Sequence, residues 1–255
     1  MGRLDQKVAI VTGAGQGVGR GIALAMAKEG ARIVVAGRNT TTCPAVVAEL
    51  RALGASAVFA PCDVTHKPDV GKTIKAAVEA FGTVDIVVNN AHSTRKVYAP
   101  FLEWTDDALQ EQMNSSYMAS VWFMQQSFPY LKVRGGSIIN IASGVGHLGA
   151  AGYLGYAACK EAQRVATRVA AREWGQFKIR ANTICPIADS PPIQTISERP
   201  EEGFGELLKQ IALGRVGSCE HEIGRTAVFL ASPDGAYITG HTIHVDGGYV
   251  MDSGH

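Results

Sequence analysis

The chain has 255 residues, of which 46% are hydrophobic and 18% charged, and its formal net charge at pH 7 is +1. This composition is typical of a globular protein with a sizeable core, and the near-zero charge gives no reason to expect nucleic acid or an anionic membrane as a partner. The five cysteines are scattered and odd in number, which favours a reducing compartment over a disulfide framework.

The start of the chain carries no recognisable targeting signal. Its apolar run is too short for a signal peptide, and Gln6 stands where a myristoylation signal would need Ser or Thr. No stretch approaches the length of a membrane span. We therefore expect a soluble, cytoplasmic protein.

Short β-branched runs alternate with longer helical patterns along most of the chain. Strands are predicted at 7–13, 32–37, 56–64, 84–90, 136–143, 179–186 and 242–248, and helices at 19–30, 44–54, 69–82, 105–131 and 154–174. Strands that are apolar on both faces and are followed by crossover helices indicate a parallel sheet covered on both sides. No linker, repeat or low-complexity segment divides the chain. We predict one α/β domain over 1–255, a doubly wound parallel sheet with helices on both faces.

The segment 187–220 interrupts this alternation. It is punctuated by proline and glycine and contains one short helical piece near 201–212. A loop of this length within a compact domain is usually a functional lid or a mobile segment. We predict a lid over the substrate, with a disordered insertion as the alternative.

A glycine-rich turn, TGAGQGVG at 12–19, joins the first strand to the first helix. Its glycines fit T-G-x-x-x-G-x-G through Gly13, Gly17 and Gly19, and they do not fit G-x-G-x-x-G. Such a turn lets the backbone approach a pyrophosphate, and the helix N-terminus offers free N–H groups and a positive dipole end. Tight packing alone is the alternative, but a position after the first strand of a doubly wound sheet favours dinucleotide binding.

The second strand ends in VAGRN, with Arg38 and no acidic residue. Sites for NAD(H) place Asp or Glu there to bind the ribose hydroxyls, whereas a nearby arginine accommodates a 2′-phosphate. The sequence therefore favours NADP(H) over NAD(H). The alternative is that Arg38 is a solvated charge flanking a helix. Gln16 is neutral, so the glycine loop offers no second cation unless Arg20 reaches it.

Tyr156 and Lys160 are four residues apart on a predicted helix and share one face. A phenol has a pKa of about 10, and a nearby ammonium favours the phenolate and would lower that pKa towards the operating range. Tyr153 has no such partner, because Ala157 occupies the equivalent position.

Two further polar residues are candidates for the same chemistry. Ser143 ends the fifth predicted strand, at the carboxyl edge where open α/β sheets bind ligands, and could hold a carbonyl oxygen. Local backbone capping is the alternative for this serine. Asn114 is a poor helix former inside the predicted helix 105–131. It is either a surface residue or an amide that ties a water to Lys160.

Taken in order, these motifs resemble the short-chain dehydrogenases/reductases over essentially the whole chain. The matching motifs are TGAGQGVG at 12–19, CDVT at 62–65, NNA at 89–91, Asn114, Ser143, YAACK at 156–160 and TGHTIHVDGG at 239–248. The resemblance implies a Rossmann-type, NAD(P)(H)-dependent oxidoreductase that interconverts a ketone and a secondary alcohol by hydride transfer. It also implies a homodimer or homotetramer in which helices 105–131 and 154–174 pair.

The resemblance implies a role for each matching residue. Tyr156 would be the general acid in reduction and the base in oxidation, and Lys160 would lower its pKa and bind the nicotinamide ribose. Ser143 would orient the substrate oxygen, and Asn114 would hold a water in the proton relay. The implied cofactor contacts are Gly13, Gln16, Gly17, Val18, Gly19, Arg38, Asp63, Val64, Asn90, Ala91, His92, Tyr156, Lys160, Pro186 and Ile187.

Two positions depart from the family pattern. His92 stands where NNA is commonly followed by glycine. An imidazole there could narrow the pocket, bind the cofactor or contact the substrate, or it could turn outward. Ile187 follows Pro186 where glycine is usual, at some cost in backbone freedom. Ser190 is the hydroxyl closest to the expected downstream threonine.

Substrate contacts are expected mainly from 92–100, 144–154 and 187–215, which are rich in apolar and aromatic residues. We therefore expect a fairly apolar ketone or alcohol, such as a steroid, a terpenoid or an aromatic compound. The candidate contact residues are His92, His147, Leu148 and Tyr153.

No metal site is expected. His241 and His244 would point to opposite faces of a strand, and no other cluster has ligand spacing. Two other functions are compatible with the fold. One is a catalytically idle dinucleotide-binding sensor or scaffold, and the other is a lyase or isomerase.

Overall fold

The computed structural model describes residues 2–95, 97–191, 193–194 and 203–251. Within these residues seven strands form one parallel sheet in the order β3-β2-β1-β4-β5-β6-β7. The order reverses between β1 and β4, which is the switch point where doubly wound sheets bind dinucleotides. The predicted fold class is confirmed. The strands are β1 (Val8–Thr12), β2 (Arg32–Gly37), β3 (Ala57–Pro61), β4 (Ile86–Asn89), β5 (Gly136–Ile141), β6 (Ile179–Pro186) and β7 (Thr242–Val245).

Helices cover both faces of the sheet. They are α1 (Gly17–Lys28), α2 (Thr42–Ala52), α3 (Lys67–Phe81), α4 (Asp106–Met113), α5 (Ala119–Arg134), α6 (Gly144–Leu148), α7 (Leu154–Trp174), α8 (Phe204–Gln210) and α9 (Arg225–Ala231). Two π-helical turns, Asn114–Met118 and Cys219–Gly224, precede α5 and α9. None of the described helices is long and apolar enough to cross a membrane.

Strands β1 to β6 each contribute side chains to two separate cores. Ala9 and Val11 of β1 pack with α1, α2 and α9 on one face, whereas Val8 and Ile10 pack with α3, α5 and α7 on the other. All four are fully buried, and burying an aliphatic side chain of this kind stabilises the fold by about 1.5–3 kcal/mol. Burial on both faces explains why the strands have no polar alternation.

The structure differs from the predicted elements in several places, of which three concern the site or the covering helices. The strand predicted at 84–90 ends at Asn89, so Asn90 belongs to the loop that follows it. The helix predicted at 105–131 is interrupted by the π-helical turn and continues to Arg134. No helix was predicted for α9, whose seven residues are too few and too apolar to show a helical period.

The predicted lid at 187–220 is described only in part. Residues 192 and 195–202 lie outside the described residues. The short helix predicted near 201–212 is represented by α8 within the described part.

Candidate active site

Hydrogen bonds hold the turn between β1 and α1 against the end of β4. The Thr12 hydroxyl donates to the Val88 carbonyl at 3.2 Å and accepts the backbone N–H groups of Asn90 and Ala91 at 2.9 and 3.0 Å. The Asn90 side-chain amide donates to the carbonyls of Thr12 at 2.9 Å and Gly13 at 3.3 Å. The structure therefore brings the predicted cofactor residues Gly13, Asn90 and Ala91 together, and Asn90 shapes the loop.

The glycine turn forms a cradle that side chains would fill. Gly13 and Gly17 adopt φ angles of +64° and +53°, where residues with a Cβ are strained. A Cβ on Gly19 would lie 2.5 Å from both the Asn90 Nδ2 and the Gly13 carbonyl oxygen. The Gln16 side chain makes no capping hydrogen bond to α1 within the described part of the chain. This uncapped start of a 12-residue helix fits the pyrophosphate of a dinucleotide.

The end of β2 presents Arg38 beside Asp63. The Arg38 side chain is 67% exposed, and its Nη1 lies 3.6 Å from the Asp63 Oδ2. Burial raises the pKa of Asp63, but hydrogen bonds from Thr65 and the charge of Arg38 outweigh it, so the net pKa is lowered. Arg20 does not join this group, because its guanidinium is bound to Glu49 of α2.

The structure also places three other predicted cofactor residues. Val18 packs partly buried against the core beneath the start of α1. Val64 is buried and contributes to the opposite core. Pro186 ends β6 at the edge of the sheet that carries the glycine turn.

The end of β5 and the start of α7 bring Ser143, Tyr156 and Lys160 together. The Ser143 Oγ accepts the Val145 N–H at 3.2 Å, which begins α6, and the serine side chain also acts to lower the pKa of Tyr156. The Lys160 Nζ lies 5.6 Å from the centroid of the Tyr156 ring and donates to the Ile141 carbonyl at 2.7 Å. Ser143 therefore caps a helix and acts on the tyrosine at the same time.

Burial has the largest effect on the charges of this group. It raises the pKa of Tyr156 to about 12, although the Ser143 side chain works in the opposite direction. Burial also lowers the pKa of Lys160. The predicted lowering of the phenol pKa does not occur in this structure, because burial has the largest effect and raises the pKa of Tyr156.

His92 faces the tyrosine and does not turn outward. Its ring centroid lies 5.6 Å from that of Tyr156, with the planes inclined by 55°. Burial and, second, the charge of Lys160 lower the pKa of His92 to about 3, against a hydrogen bond to the Asn90 backbone that raises it. The imidazole is therefore neutral at physiological pH and offers a polar contact without a charge.

Tyr153 and Tyr98 extend this arrangement away from the tyrosine. The Tyr153 ring centroid lies 6.4 Å from that of Tyr156 and 5.2 Å from that of Tyr98, which it meets edge-on. We call His92, Tyr156, Tyr153 and Tyr98 the aromatic row. It forms a largely apolar wall beside the candidate catalytic residues.

Glycines at the start of α7 make room for this wall. A Cβ on Gly152 would lie 2.2 Å from the Tyr98 ring, and one on Gly155 would lie 2.6 Å from the Trp104 ring. The Ala99 N–H donates to the Gly152 carbonyl at 2.9 Å, which fixes the segment that carries Tyr98. Trp104 was not predicted as part of the site, because its contact with Gly155 joins residues about 50 positions apart.

His147 and Leu148 do not join the aromatic row. The His147 ring centroid lies 5.5 Å from that of His244, and its Nδ1 lies 3.3 Å from the Arg164 Nη1. Leu148 is exposed at the end of α6. Their role as substrate contacts stays a prediction. The described residues contain no group of three or more His, Cys, Asp or Glu side chains that could hold a metal ion.

Asn114 begins the π-helical turn before α5. Its Oδ1 accepts a hydrogen bond from the Gln110 Nε2 at 2.9 Å. Such turns are frequent at functional sites. No described side-chain hydrogen bond joins Asn114 to Lys160, and the water relay stays a prediction.

Ile187 continues the extended backbone beyond β6. Its N–H donates to the Val245 carbonyl at 3.0 Å, and its own carbonyl accepts the Gly217 N–H at 3.2 Å. Its φ is not in the left-handed region. The expected cost in backbone freedom is therefore absent, because this position is not a tight turn.

The first part of the lid lies against the glycine turn. The Pro191 Cδ is 2.9 Å, and the Ser190 Cβ 3.5 Å, from where a Cβ on Gly17 would stand. This approach puts the Ser190 backbone beside the start of α1. Ser190 is therefore close to the site that fits a pyrophosphate.

A doubly wound sheet with a glycine cradle at its switch point, and serine, tyrosine and lysine at a neighbouring strand end, defines a dinucleotide-binding oxidoreductase. Residues 13–250 match a family model described as enoyl-(acyl carrier protein) reductase. The chain belongs to the short-chain dehydrogenase/reductase family, whose members are NAD(P)-dependent oxidoreductases.

Similar proteins cover nearly the whole chain. It is 38% identical to a 12alpha-hydroxysteroid dehydrogenase from a Clostridium species, over 97% of this chain and 98% of that protein. It is 35% identical to the 2,5-dichloro-2,5-cyclohexadiene-1,4-diol dehydrogenase LinX of Sphingobium indicum, over 97% of each chain. It is 36% identical to the 3-oxoacyl-(acyl-carrier-protein) reductase FabG of Staphylococcus aureus, over 96% of this chain and 98% of that protein.

The fold is also similar to solved structures. One crystal structure, described as a short-chain alcohol dehydrogenase from Sinorhizobium meliloti 1021, gives a TM-score of 0.91 at 31% identity. The match covers 96% of this chain and 97% of that one.

Proposed function

We propose that the protein transfers a hydride reversibly between NADP(H) and a ketone or secondary alcohol, and that Tyr156 moves the proton. The observation that carries this proposal is the grouping of Ser143, Tyr156 and Lys160, in which the Lys160 Nζ lies 5.6 Å from the centroid of the phenol ring. These groups lie at the same edge of the sheet as the glycine cradle.

The chain supplies the proton and the oxygen contacts. When bound, the nicotinamide donates the hydride in reduction and accepts it in oxidation. In reduction the Ser143 and Tyr156 hydroxyls donate hydrogen bonds to the carbonyl oxygen, and Tyr156 releases its proton as negative charge develops there. The charge of Lys160 stabilises the phenolate that remains. Oxidation runs through the same groups in reverse.

The raised pKa of Tyr156, about 12, favours the protonated phenol at neutral pH. A protonated phenol can act as the acid towards a carbonyl without first taking up a proton.

Arg38 supports a preference for NADP(H). It follows a strand end that carries no acid, and it is exposed enough to contact a 2′-phosphate. A guanidinium can bind two phosphate oxygens at once, which gives both affinity and orientation. The Asp63 Oδ2 lies 3.6 Å from the Arg38 Nη1, and this ion pair is weak enough for a phosphate to displace it.

The aromatic row supports an apolar, ring-containing substrate. Aromatic side chains pack well against flat apolar ring systems, and the neutral His92 adds one polar contact. Two of the similar proteins are named for a steroid alcohol and a cyclohexadiene diol. We propose an alicyclic ketone or secondary alcohol, of the steroid kind, over an acyl-carrier thioester.

A homodimer or homotetramer is part of the proposal. Val165 and Val169 lie one turn apart on α7 and are about half exposed. Apolar side chains at this spacing form a stripe suited to a partner helix. Light scattering of the wild type and of Val169→Glu tests this part, since the variant should dissociate.

The experiment that tests the function offers NADPH and NADH, each deuterated at the transferable position, with a panel of steroid, alicyclic and acyl-thioester ketones. Nicotinamide absorbance reports turnover, and mass spectrometry locates the deuterium. Deuterium on the carbinol carbon, with NADPH preferred, is the expected result. Product without deuterium would indicate lyase or isomerase chemistry, and tight cofactor binding without turnover across the panel would indicate an idle binding protein.

A further inference from the structure

A buried row of polar side chains continues from the candidate catalytic tyrosine along α7. Tyr156, Lys160, Gln163 and Thr167 are spaced four, three and four residues apart, so they share one helix face. Lys160 is 1% exposed and Gln163 is fully buried. A buried ammonium is costly unless hydrogen-bond acceptors surround it, so the partners of Lys160 determine whether it stays charged.

Gln163 is one of the acceptors of Lys160. The Lys160 Nζ donates to the Ile141 carbonyl at 2.7 Å and to the Gln163 Oε1 at 3.4 Å. The Gln163 Nε2 donates to the Ser120 Oγ of α5 at 2.5 Å, and this hydroxyl in turn donates to the Ser116 carbonyl at 2.8 Å. The Ser120 hydroxyl donates its proton to the Ser116 carbonyl, so it can only accept a hydrogen bond from the Gln163 amide nitrogen. The amide oxygen of Gln163 is therefore turned towards the lysine.

No anionic group of the described residues offsets the charge of Lys160. The titratable groups that face it are Tyr156 and Cys159 of α7, Cys185 of β6 and His92 of the loop after β4. Burial raises the pKa of Cys159 and raises those of Tyr156 and Cys185 to about 12, and the pKa of His92 is about 3. All four are therefore neutral at neutral pH. The carbonyl dipoles of Ile141 and Gln163 therefore stabilise the Lys160 ammonium.

We infer that Gln163 is a positioning residue, whose amide oxygen holds the Lys160 ammonium in place and keeps it protonated beside Tyr156. The inference rests on the proposed function, because it assigns Gln163 to the same proton-transfer group. Its effect is indirect: Gln163 stabilises the charge of the lysine, and the lysine stabilises the phenolate.

Two substitutions at Gln163 act on the lysine in opposite directions. Gln163→Met keeps the length of the side chain and removes the acceptor, so the pKa of Lys160 should fall by about one unit, a tenfold loss of proton affinity. Gln163→Glu supplies a carboxylate of the same shape, so the pKa of Lys160 should rise. Ser120→Ala leaves Gln163 in place but frees its amide to rotate, and it should lower the lysine pKa by less.

Thr167→Val is the matched control. Thr167 is buried on the same face, donates to the Gln163 backbone carbonyl at 2.8 Å and accepts from the Asn140 Nδ2 at 2.8 Å. It forms no described hydrogen bond with Lys160. Loss of the Thr167 hydroxyl therefore disturbs the packing of α7 without removing a hydrogen-bond acceptor of the Lys160 ammonium.

The pKa of Lys160 is measured by NMR on protein labelled with ¹³C at the lysine Cε, with the signal assigned by Lys160→Met. The expected result is a lower pKa in Gln163→Met, a higher one in Gln163→Glu and no change in Thr167→Val. The alkaline limit of kcat should shift to lower pH in Gln163→Met, while KM for the ketone stays constant.

An unchanged Lys160 pKa in both Gln163 variants would overturn the inference. An equal fall in Thr167→Val would do the same, because it would reveal a general packing effect. The titration does not need turnover. Shifted pKa values in a protein that transfers no hydride would therefore contradict the proposed function and leave the role of Gln163 towards the lysine intact.

Discussion

Replacing Arg38 by alanine tests the assignment of the cofactor. The guanidinium is 67% exposed, and its only described ion pair is the 3.6 Å contact with Asp63. An exposed ion pair of this kind contributes about 0–1 kcal/mol to the free energy of unfolding. Little stability is therefore lost when the Arg38 side chain binds a phosphate instead of Asp63, or when it is removed. The substitution therefore changes cofactor binding without a large effect on folding.

The size of the effect follows from the contact that is lost. A hydrogen bond to a charged group contributes about 1.5–3 kcal/mol, and each 1.4 kcal/mol is about tenfold in affinity. We expect the KM for NADPH to rise by about 10- to 100-fold. The KM for NADH should change little, because that cofactor has no 2′-phosphate. The uncompensated carboxylate of Asp63 adds to the loss for NADPH.

The assay is steady-state kinetics with both cofactors at a fixed ketone concentration. Arg20→Ala is the control, since it removes an equal charge next to the same loop from a side chain already bound to Glu49. We expect Arg20→Ala to keep the NADPH-to-NADH ratio of the wild type. An unchanged ratio in Arg38→Ala would refute the reasoning, as would an equal fall in both variants.

Three further predictions concern the cradle, the imidazole and the aromatic row. Gly19→Ala puts a methyl group 2.5 Å from the Asn90 amide and should lower the free energy of unfolding by about 1–3 kcal/mol. NADPH and NADH should both bind less tightly to Gly19→Ala. Gly175→Ala is the control, because a Cβ at that position would have no atom within 4 Å. Equal denaturation midpoints for Gly19→Ala and the wild type would contradict the prediction. The lowered pKa of His92, about 3, means that the unfolded chain takes up a proton below about pH 6.5 and the folded chain does not. Wild type should therefore lose more unfolding free energy than His92→Gln between pH 7 and 4 in urea titrations, and parallel losses would argue against a buried neutral imidazole. Tyr98→Ala removes the outer ring of the aromatic row and should raise KM for an alicyclic ketone more than it lowers kcat; a fall in kcat alone would place Tyr98 elsewhere in the mechanism.

The parts of the fold that were predictable are those that depend on local pattern. Unbroken apolar strands and intervening helices indicated the parallel sheet, and α7 and β6 were predicted with the bounds that the structure gives. The four-residue spacing of Tyr156 and Lys160 placed both on one face, and the contact between them follows from helix geometry alone.

Features that depend on tertiary contacts were not predictable in this way. Gln163 was not identified, because only the packing of α7 against α5 shows that its amide is buried between Lys160 and Ser120. The pKa of Tyr156 depends on burial, which the spacing of two residues does not report. The direction of His147 is set by Arg164, a contact made only after α6 folds back on α7.

The central claim is that Tyr156 donates the proton while the nicotinamide delivers the hydride. Tyr156→Phe removes one hydroxyl and keeps the ring that packs against His92 and Tyr153. Its kcat for ketone reduction with NADPH, measured beside the affinity for NADPH from fluorescence titration, is the most direct test. We predict a fall in kcat of about 10²- to 10⁴-fold with unchanged NADPH affinity. A kcat equal to that of the wild type would contradict the account.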